Sequence, residues 1–293
     1  MIPSLPRPAW LRGATACYLA AFLVFLFLPL VVVGVFAFND APYPAPPWHG
    51  FTLDWFRGNE AAGRTGLFQD EELLGSIWTS FEVAVWVTLL SVAVGTTNAF
   101  LLERFRFRGQ QLLSVLILVP LVIPGVILGI SILAFASRLA GLAENWFGWE
   151  AEFLRPGLPL VVLGQFSFMA TIATLTISAR LRRFDRTLEE AALNLGASRA
   201  AVFRTILVPY LAPALVGSAA ICFIMSFADF NTTLMLVGAD APLTVMMYGR
   251  MREGASPVLN AVSLFLMVAS ALLALSLLRL SQKRNDVSAP PAA

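Results

Sequence analysis

Six stretches of this chain stay apolar long enough to cross a lipid bilayer: Thr15–Phe38, Leu73–Leu101, Leu112–Phe135, Pro159–Ser178, Pro213–Phe230 and Val258–Leu278. A helical span needs about 20 residues, because the hydrocarbon core is roughly 30 Å thick. Inside that core each backbone N–H and C=O must find a partner within the protein, which selects helices or closed barrels. Runs of this length select helices. The expected fold is therefore all-α and integral to a membrane, with six transmembrane helices. Charged residues make up only 13% of the chain, against about 25% in an ordinary soluble domain. The first run is longer than the roughly 7–15 residues of a signal-peptide core, so it reads as a retained helix.

Lys and Arg set the orientation of such a protein. With both termini inside, fourteen of the twenty basic residues lie on the cytoplasmic side, among them Arg104, Arg106, Arg108, Arg180, Arg182, Arg183 and Arg186. Six lie outside: Arg57, Arg64, Arg138, Arg155, Arg250 and Arg252. The expected organisation is a cytoplasmic amino-terminal piece (1–14), a membrane domain (15–278) and a cytoplasmic tail (279–293). The net charge of +2 reflects this topology and does not point to nucleic acid.

Several chemistries are excluded. His49 is the only histidine, so a Ser-His-Asp or Cys-His site would have to use it. Cys17 and Cys222 both fall in apolar runs, and no His, Cys or carboxylate group has zinc spacing. A Gly-rich phosphate loop of the GxxxxGK[ST] kind is absent, so the chain is not expected to hydrolyse ATP or hold a cofactor.

Between the fourth and fifth apolar runs lies a polar segment, 187–209, TLEEAALNLGASRAAVFRTILVP. Thr187 and Glu190 have the spacing of a capping box. Leu188, Ala191, Ala192 and Leu195 follow at helical intervals. Gly196 is placed to end that helix in the left-handed conformation, and Ser198 to cap a second helix running to about Ile206. The unit is too short and polar to span a bilayer and reads as a surface offered to a soluble partner.

The pattern Glu190-Ala191-Ala192, then Gly196, then Ile206-Leu207-Val208-Pro209 resembles the cytoplasmic coupling motif of type I ABC-importer permeases, with Val208 where Leu is usual. Glu103 to Gly109, Phe184-Asp185, the Trp-rich stretch Trp48–Phe56 and Tyr248–Ala261 resemble the spermidine/putrescine branch of that family. The likeness extends to permeases for ferric iron, thiamine and aminophosphonates. It implies a multi-pass subunit of a bacterial inner membrane, paired with a second, homologous permease. It also implies two cytoplasmic ATPase subunits that bind ATP and Mg, and a periplasmic or extracellular solute-binding protein. Glu189, Glu190, Ala191, Ala192, Gly196, Ala197, Ile206 and Pro209 would then form the ATPase-coupling surface. An ion-gradient-driven transporter is the other class, and it lacks an evident inverted repeat or paired broken helices.

Carboxylates at membrane depth mark candidate pathway positions, since each costs at least about 2.5 kcal/mol near the bilayer centre unless it faces protein or water. Glu82 lies about 13 Å along the second span, and Asp229 lies near the end of the fifth. Asn231, Thr232 and Thr233 follow Asp229, and Gln165, Phe166 and Met169 lie in the fourth span. A cationic cargo would be drawn to such acids, whereas Asp229 as a helix cap and Met169 as packing are the plainer readings. The polyamine branch often carries a second acid after Asp229, where this chain has Phe230. In the third span Pro120, Pro124, Gly125 and Gly129 call for a bend, either a packing kink or a gating hinge. Trp48 to Phe56 reads physically as an interfacial aromatic belt.

Overall fold

The computed structural model describes residues 9–254 and 256–287, and helices dominate it. In chain order they are α1 (Ala9–Phe36), α2 (Asp54–Arg57), α3 (Glu71–Arg104), α4 (Gln110–Val122), α5 (Gly125–Phe147), α6 (Leu158–Leu181), α7 (Thr187–Asn194), α8 (Arg199–Val202), α9 (Val208–Phe227), α10 (Asn231–Leu236), α11 (Leu243–Glu253) and α12 (Val258–Val287). Five helical runs among the described residues are long and apolar enough to cross a membrane, and α12 carries a shorter apolar stretch, Val258–Leu272. The expected tail at 279–293 does not begin as a separate piece, because α12 continues to Val287; residues 288–293 and the first eight residues lie outside the described residues. The chain separates into two compact units, Met1–Glu71 with Arg250–Ala293, and Glu72–Gly249.

In the first unit α1 packs along α12, and Gly34 faces Leu264 Cδ1. The connection after α1 is ordered around the buried Asn39. Its side chain donates to Pro47 O (3.1 Å) and accepts from His49 N (2.8 Å), and its carbonyl accepts from Trp55 Nε1 (2.8 Å). Trp55 is buried under the Arg64 guanidinium, 4.8 Å from the ring centroid. Arg64 is held in turn by Asp40 and Asp54. The belt reading of this stretch is therefore corrected at Trp55, which is the core of a small folded cap. Trp48 and Phe51 stay exposed.

The second unit is built around α6, buried over more than half of its apolar window. Small residues let neighbours approach it closely, the usual device where lipid gives no hydrophobic drive to pack. A β-carbon on Gly95 of α3 would fall 2.6 Å from Ala173 Cβ of α6. Val83, Val87, Leu160, Val161, Met169, Ala173, Ile177, Cys222 and Leu236 form the shared core.

The third expected span is redrawn. It is interrupted, stopping at Val122 and restarting at Gly125. Pro124 disfavours the helical conformation for the residue before it, and Ile123 is extended at φ −74°, ψ 130°. The glycines that follow make room for a neighbour. A β-carbon on Gly129 would sit 2.8 Å from Met235 Cβ, and one on Gly125 3.1 Å from Asn231 Cβ. α10 lies in that groove, and Thr171 Oγ1 of α6 donates to Ile117 O of α4.

The fifth span also differs from expectation. α8 does not end before it but continues into α9 through a π-helical turn, Phe203–Leu207, and the run ends at Phe227, not at Phe230. The wider turn, with Val208 N–H reaching Phe203 O, precedes Pro209. That proline has no N–H for an ordinary helical bond, and its ring would crowd the carbonyl four residues back.

Candidate functional site

The polar segment at 187–209 is assembled locally and clamped from a distance. The capping box does not form. Arg186 already has helical angles, and Thr187 enters the helix without a side-chain cap bond. The Asp185 carboxylate takes its place, accepting from Thr187 N at 3.0 Å, and that bond holds Asp185 below the usual carboxylate range.

At the other end of α7, Gly196 has φ +86°. Gly196 N donates to Leu193 O (2.9 Å) and Ala197 N to Ala192 O (3.0 Å), the paired bonds of a Schellman ending. Ser198 Oγ then accepts from Ala201 N at 3.2 Å. The helix–Gly–helix unit read from the sequence is present, with its first cap supplied by a different residue.

The clamp comes from the end of α3. Arg104 makes a two-pronged pair with Glu189, NH2 to Oε1 at 2.8 Å and NH1 to Oε2 at 3.0 Å. Its guanidinium also lies 5.3 Å from the Phe184 ring centroid. Arg182 Nε donates to Glu103 Oε1 (2.7 Å), and Arg186 NH2 to Glu103 O (2.9 Å). Beneath α7, Leu181, Phe184, Leu207 and Leu211 form a second core, joined by Ile206 and Tyr210. Arg180 stacks on Tyr210 at 4.2 Å and bonds its carbonyl.

The expected coupling residues thus divide. Glu189 is an internal strut and Ile206 an anchor in the core. Glu190, Ala191, Gly196 and Pro209 are exposed, with Ala192 and Ala197 half-buried beside them. Leu188 and Leu195 add apolar surface, 51% and 88% exposed. A β-carbon on Gly196 would meet nothing within 4 Å. The unit therefore presents a partly apolar knob with an open glycine at its surface.

The candidate pathway residues form a second constellation. Ser226 Oγ donates to Gln165 Oε1, Gln165 Nε2 donates to Thr233 Oγ1 (2.8 Å), and Thr233 Oγ1 donates to Asp229 Oδ2 (2.9 Å). Thr233 N also donates to Asp229 Oδ2, at 3.0 Å. Four residues from α6, α9, α10 and the α9–α10 turn therefore make one directional chain ending on a half-buried carboxylate. Asp229 both tethers the first turn of α10 and terminates this chain; its anchoring role falls on the start of the next helix and not on the end of the fifth span.

Thr232 is buried, and its hydroxyl has no partner among the described residues. Asn231 is exposed beside Gly125, Phe166 is half-buried, and Met169 is core packing, its carbonyl 3.7 Å from Cys222 Sγ. Glu82 stands apart. It lines an apolar groove of about 380 Å³ with Trp86, Phe153 and Pro159, and among the described residues no hydrogen bond joins it to Asp229.

Sequence reasoning missed Arg104, Glu103 and Ser226. Arg104 and Glu103 belong to a turn read for its charge and its family likeness but not as a partner of 187–209, and a serine in an apolar helix gives no signal of its own.

Residues 89–285 match the family model described as a binding-protein-dependent transport system inner membrane component. The chain is 29% identical over 247 residues to the putrescine transport system permease protein of Escherichia coli (strain K12), covering 84% of this chain and 82% of that one. It is 27% identical over 267 residues to the spermidine/putrescine transport system permease protein of the same organism, covering 91% and 92%. Among solved structures it resembles a bacterial ABC transporter involved in the import of the acidic polysaccharide alginate, with TM-score 0.70, 18% identity, and coverage of 94% of this chain and 96% of that one. It also resembles the MetNI methionine ABC transporter in an inward-facing form, with TM-score 0.57, 17% identity, and coverage of 72% and 95%. Both likenesses concern the fold.

Proposed function

The chain belongs to the binding-protein-dependent transport system inner membrane component family, as an ABC-importer permease, and from that premise we propose that it carries a polyamine or related organic cation across the membrane. The observation that carries the cargo reading is the chain of Ser226, Gln165, Thr233 and Asp229, which fixes a carboxylate within a membrane domain. The polyamine names of two relatives support it. A cation is attracted there because an ionised acid at depth is stabilised by an opposite charge.

In this reading both termini are cytoplasmic. The exposed knob of Glu190, Leu195 and Gly196 docks on one of two ATPase subunits, which bind ATP and Mg. The Arg104–Glu189 clamp transmits the movement of that contact to α3. A second permease completes the pore, and a solute-binding protein delivers cargo from outside. A smaller or less highly charged solute is the second reading. Phe230, where the polyamine branch often has another acid, favours it.

Uptake by the reconstituted importer tests the cargo. Asp229→Asn retains an oxygen to tether α10 but removes the charge. The expected result is at least a tenfold fall in putrescine uptake with binding-protein docking and assembly intact. Unchanged uptake by this variant removes Asp229 from the pathway, and wild-type ATPase activity that no polyamine stimulates removes polyamines as cargo.

A further inference from the structure

The turn between α3 and α4 bears a groove that the transport reading does not use. About 560 Å³ in volume, it is lined by Glu103, Arg104, Arg106, Arg108, Gln110 and Arg186, together with the Phe residues between the arginines. The charges do not cancel. Glu189 neutralises Arg104, and Arg182 takes the Glu103 carboxylate. Arg186 rests on a neutral carbonyl. Arg106 and Arg108 have no hydrogen bond or ion pair among the described residues, and both are exposed. The turn is held open: Gln110 Nε2 donates to Leu102 O at 2.6 Å, Leu113 N donates to Gly109 O at 2.9 Å, and Gly109 has φ +91°.

Alternating with these arginines are Phe105 and Phe107, 60% and 38% exposed, directly after a 34-residue membrane helix. Exposed rings beside free guanidinium groups at the end of a span suit the boundary between acyl chains and headgroups. A guanidinium fork binds phosphate oxygens in pairs, and its charge does not depend on pH in the physiological range.

We propose that this turn binds the phosphate of an anionic phospholipid headgroup, with Arg106 and Arg108 as the principal ligands and Arg186 completing the charge. Phe105 and Phe107 lie against the lipid tails. Bound lipid then buttresses the same turn that carries the Arg104–Glu189 clamp.

The test uses the full chain purified in mild detergent, titrated with phosphatidylglycerol or phosphatidylcholine and read by native mass spectrometry. Wild type is expected to bind phosphatidylglycerol in preference to phosphatidylcholine. Arg106→Gln with Arg108→Gln should lose about thirtyfold in affinity for phosphatidylglycerol and none for phosphatidylcholine. The Lys pair at the same positions should bind between wild type and the Gln pair, because the charge is kept and the fork is lost. Arg138→Gln, an exposed change on α5, should have no effect. Equal binding of the two lipids by wild type, or no loss in the Gln pair, overturns the proposal. Displacement of the lipid by millimolar inorganic phosphate or soluble glycerophosphoglycerol assigns the groove to a free phosphate and overturns the lipid assignment.

Discussion

Removing the Arg104–Glu189 pair should loosen α7 without unfolding the membrane helices. The two bonds are 2.8 and 3.0 Å long, and the side chains are only 15% and 22% exposed. Opposite charges about 4 Å apart attract by roughly 4 kcal/mol at an effective dielectric near 20. Partial desolvation and the ordering of two long side chains offset much of that. A coupling of roughly 1–2 kcal/mol should remain, above that of exposed pairs and below that of fully buried ones. At 1.4 kcal/mol per factor of ten, this corresponds to about five- to thirtyfold in the population of detached α7.

Hydrogen exchange of the Thr187–Asn194 amides reads that population directly, without any partner present. Arg104→Ala and Glu189→Ala should each raise exchange in α7 by about that factor. The double variant should be no faster than the faster single one, because the second change removes a group already without its partner. Exchange in α6 and α9 should stay unchanged. Additive effects of the two changes, or protection of α7 equal to wild type in both singles, would refute the clamp.

Three further outcomes are expected. Gly196→Asp costs roughly 1–2 kcal/mol of backbone strain at φ +86° and places a carboxylate at the contact, so transport and ATPase pull-down should fail while the helical circular dichroism is retained; normal coupling would remove Gly196 from the interface. Gly129→Ala forces α10 away from α5, since its β-carbon would lie 2.8 Å from Met235 Cβ, and should lower thermal stability by roughly 1–3 kcal/mol, whereas the same change at Gly141, which faces open space, should not. In a background lacking Cys17 and Cys222, a single cysteine at Ala61 should react with an impermeant reagent from outside and one at Ser198 should not; the reverse pattern overturns the orientation.

Much of the architecture was legible in the linear order of residues because membrane helices and their ends are local phenomena. An apolar run declares a span through length alone. The ending at Gly196 and the cap at Ser198 depend on neighbours within five residues, so both were readable. Errors arose where a local signal had two outcomes. Thr187 and Asp185 competed for one helix start, and the carboxylate two residues back prevailed. Proline in the third span could bend a helix or end it, and the extended backbone of Ile123 before Pro124 ended it.

What the sequence determined by itself was the all-helical membrane character, the approximate spans and the exposed helix–Gly–helix unit at 187–209, since each follows from periodicity, length or capping along a few turns. The tertiary structure alone decided the partners. Arg104 finds Glu189 85 residues away, Gln165 finds Thr233 at 68 and Ser226 at 61, and α10 fills the groove opened by Gly125 and Gly129. Such pairings depend on which helix faces are brought together by close packing, and a polar side chain in an apolar helix carries no mark of the partner that will satisfy it.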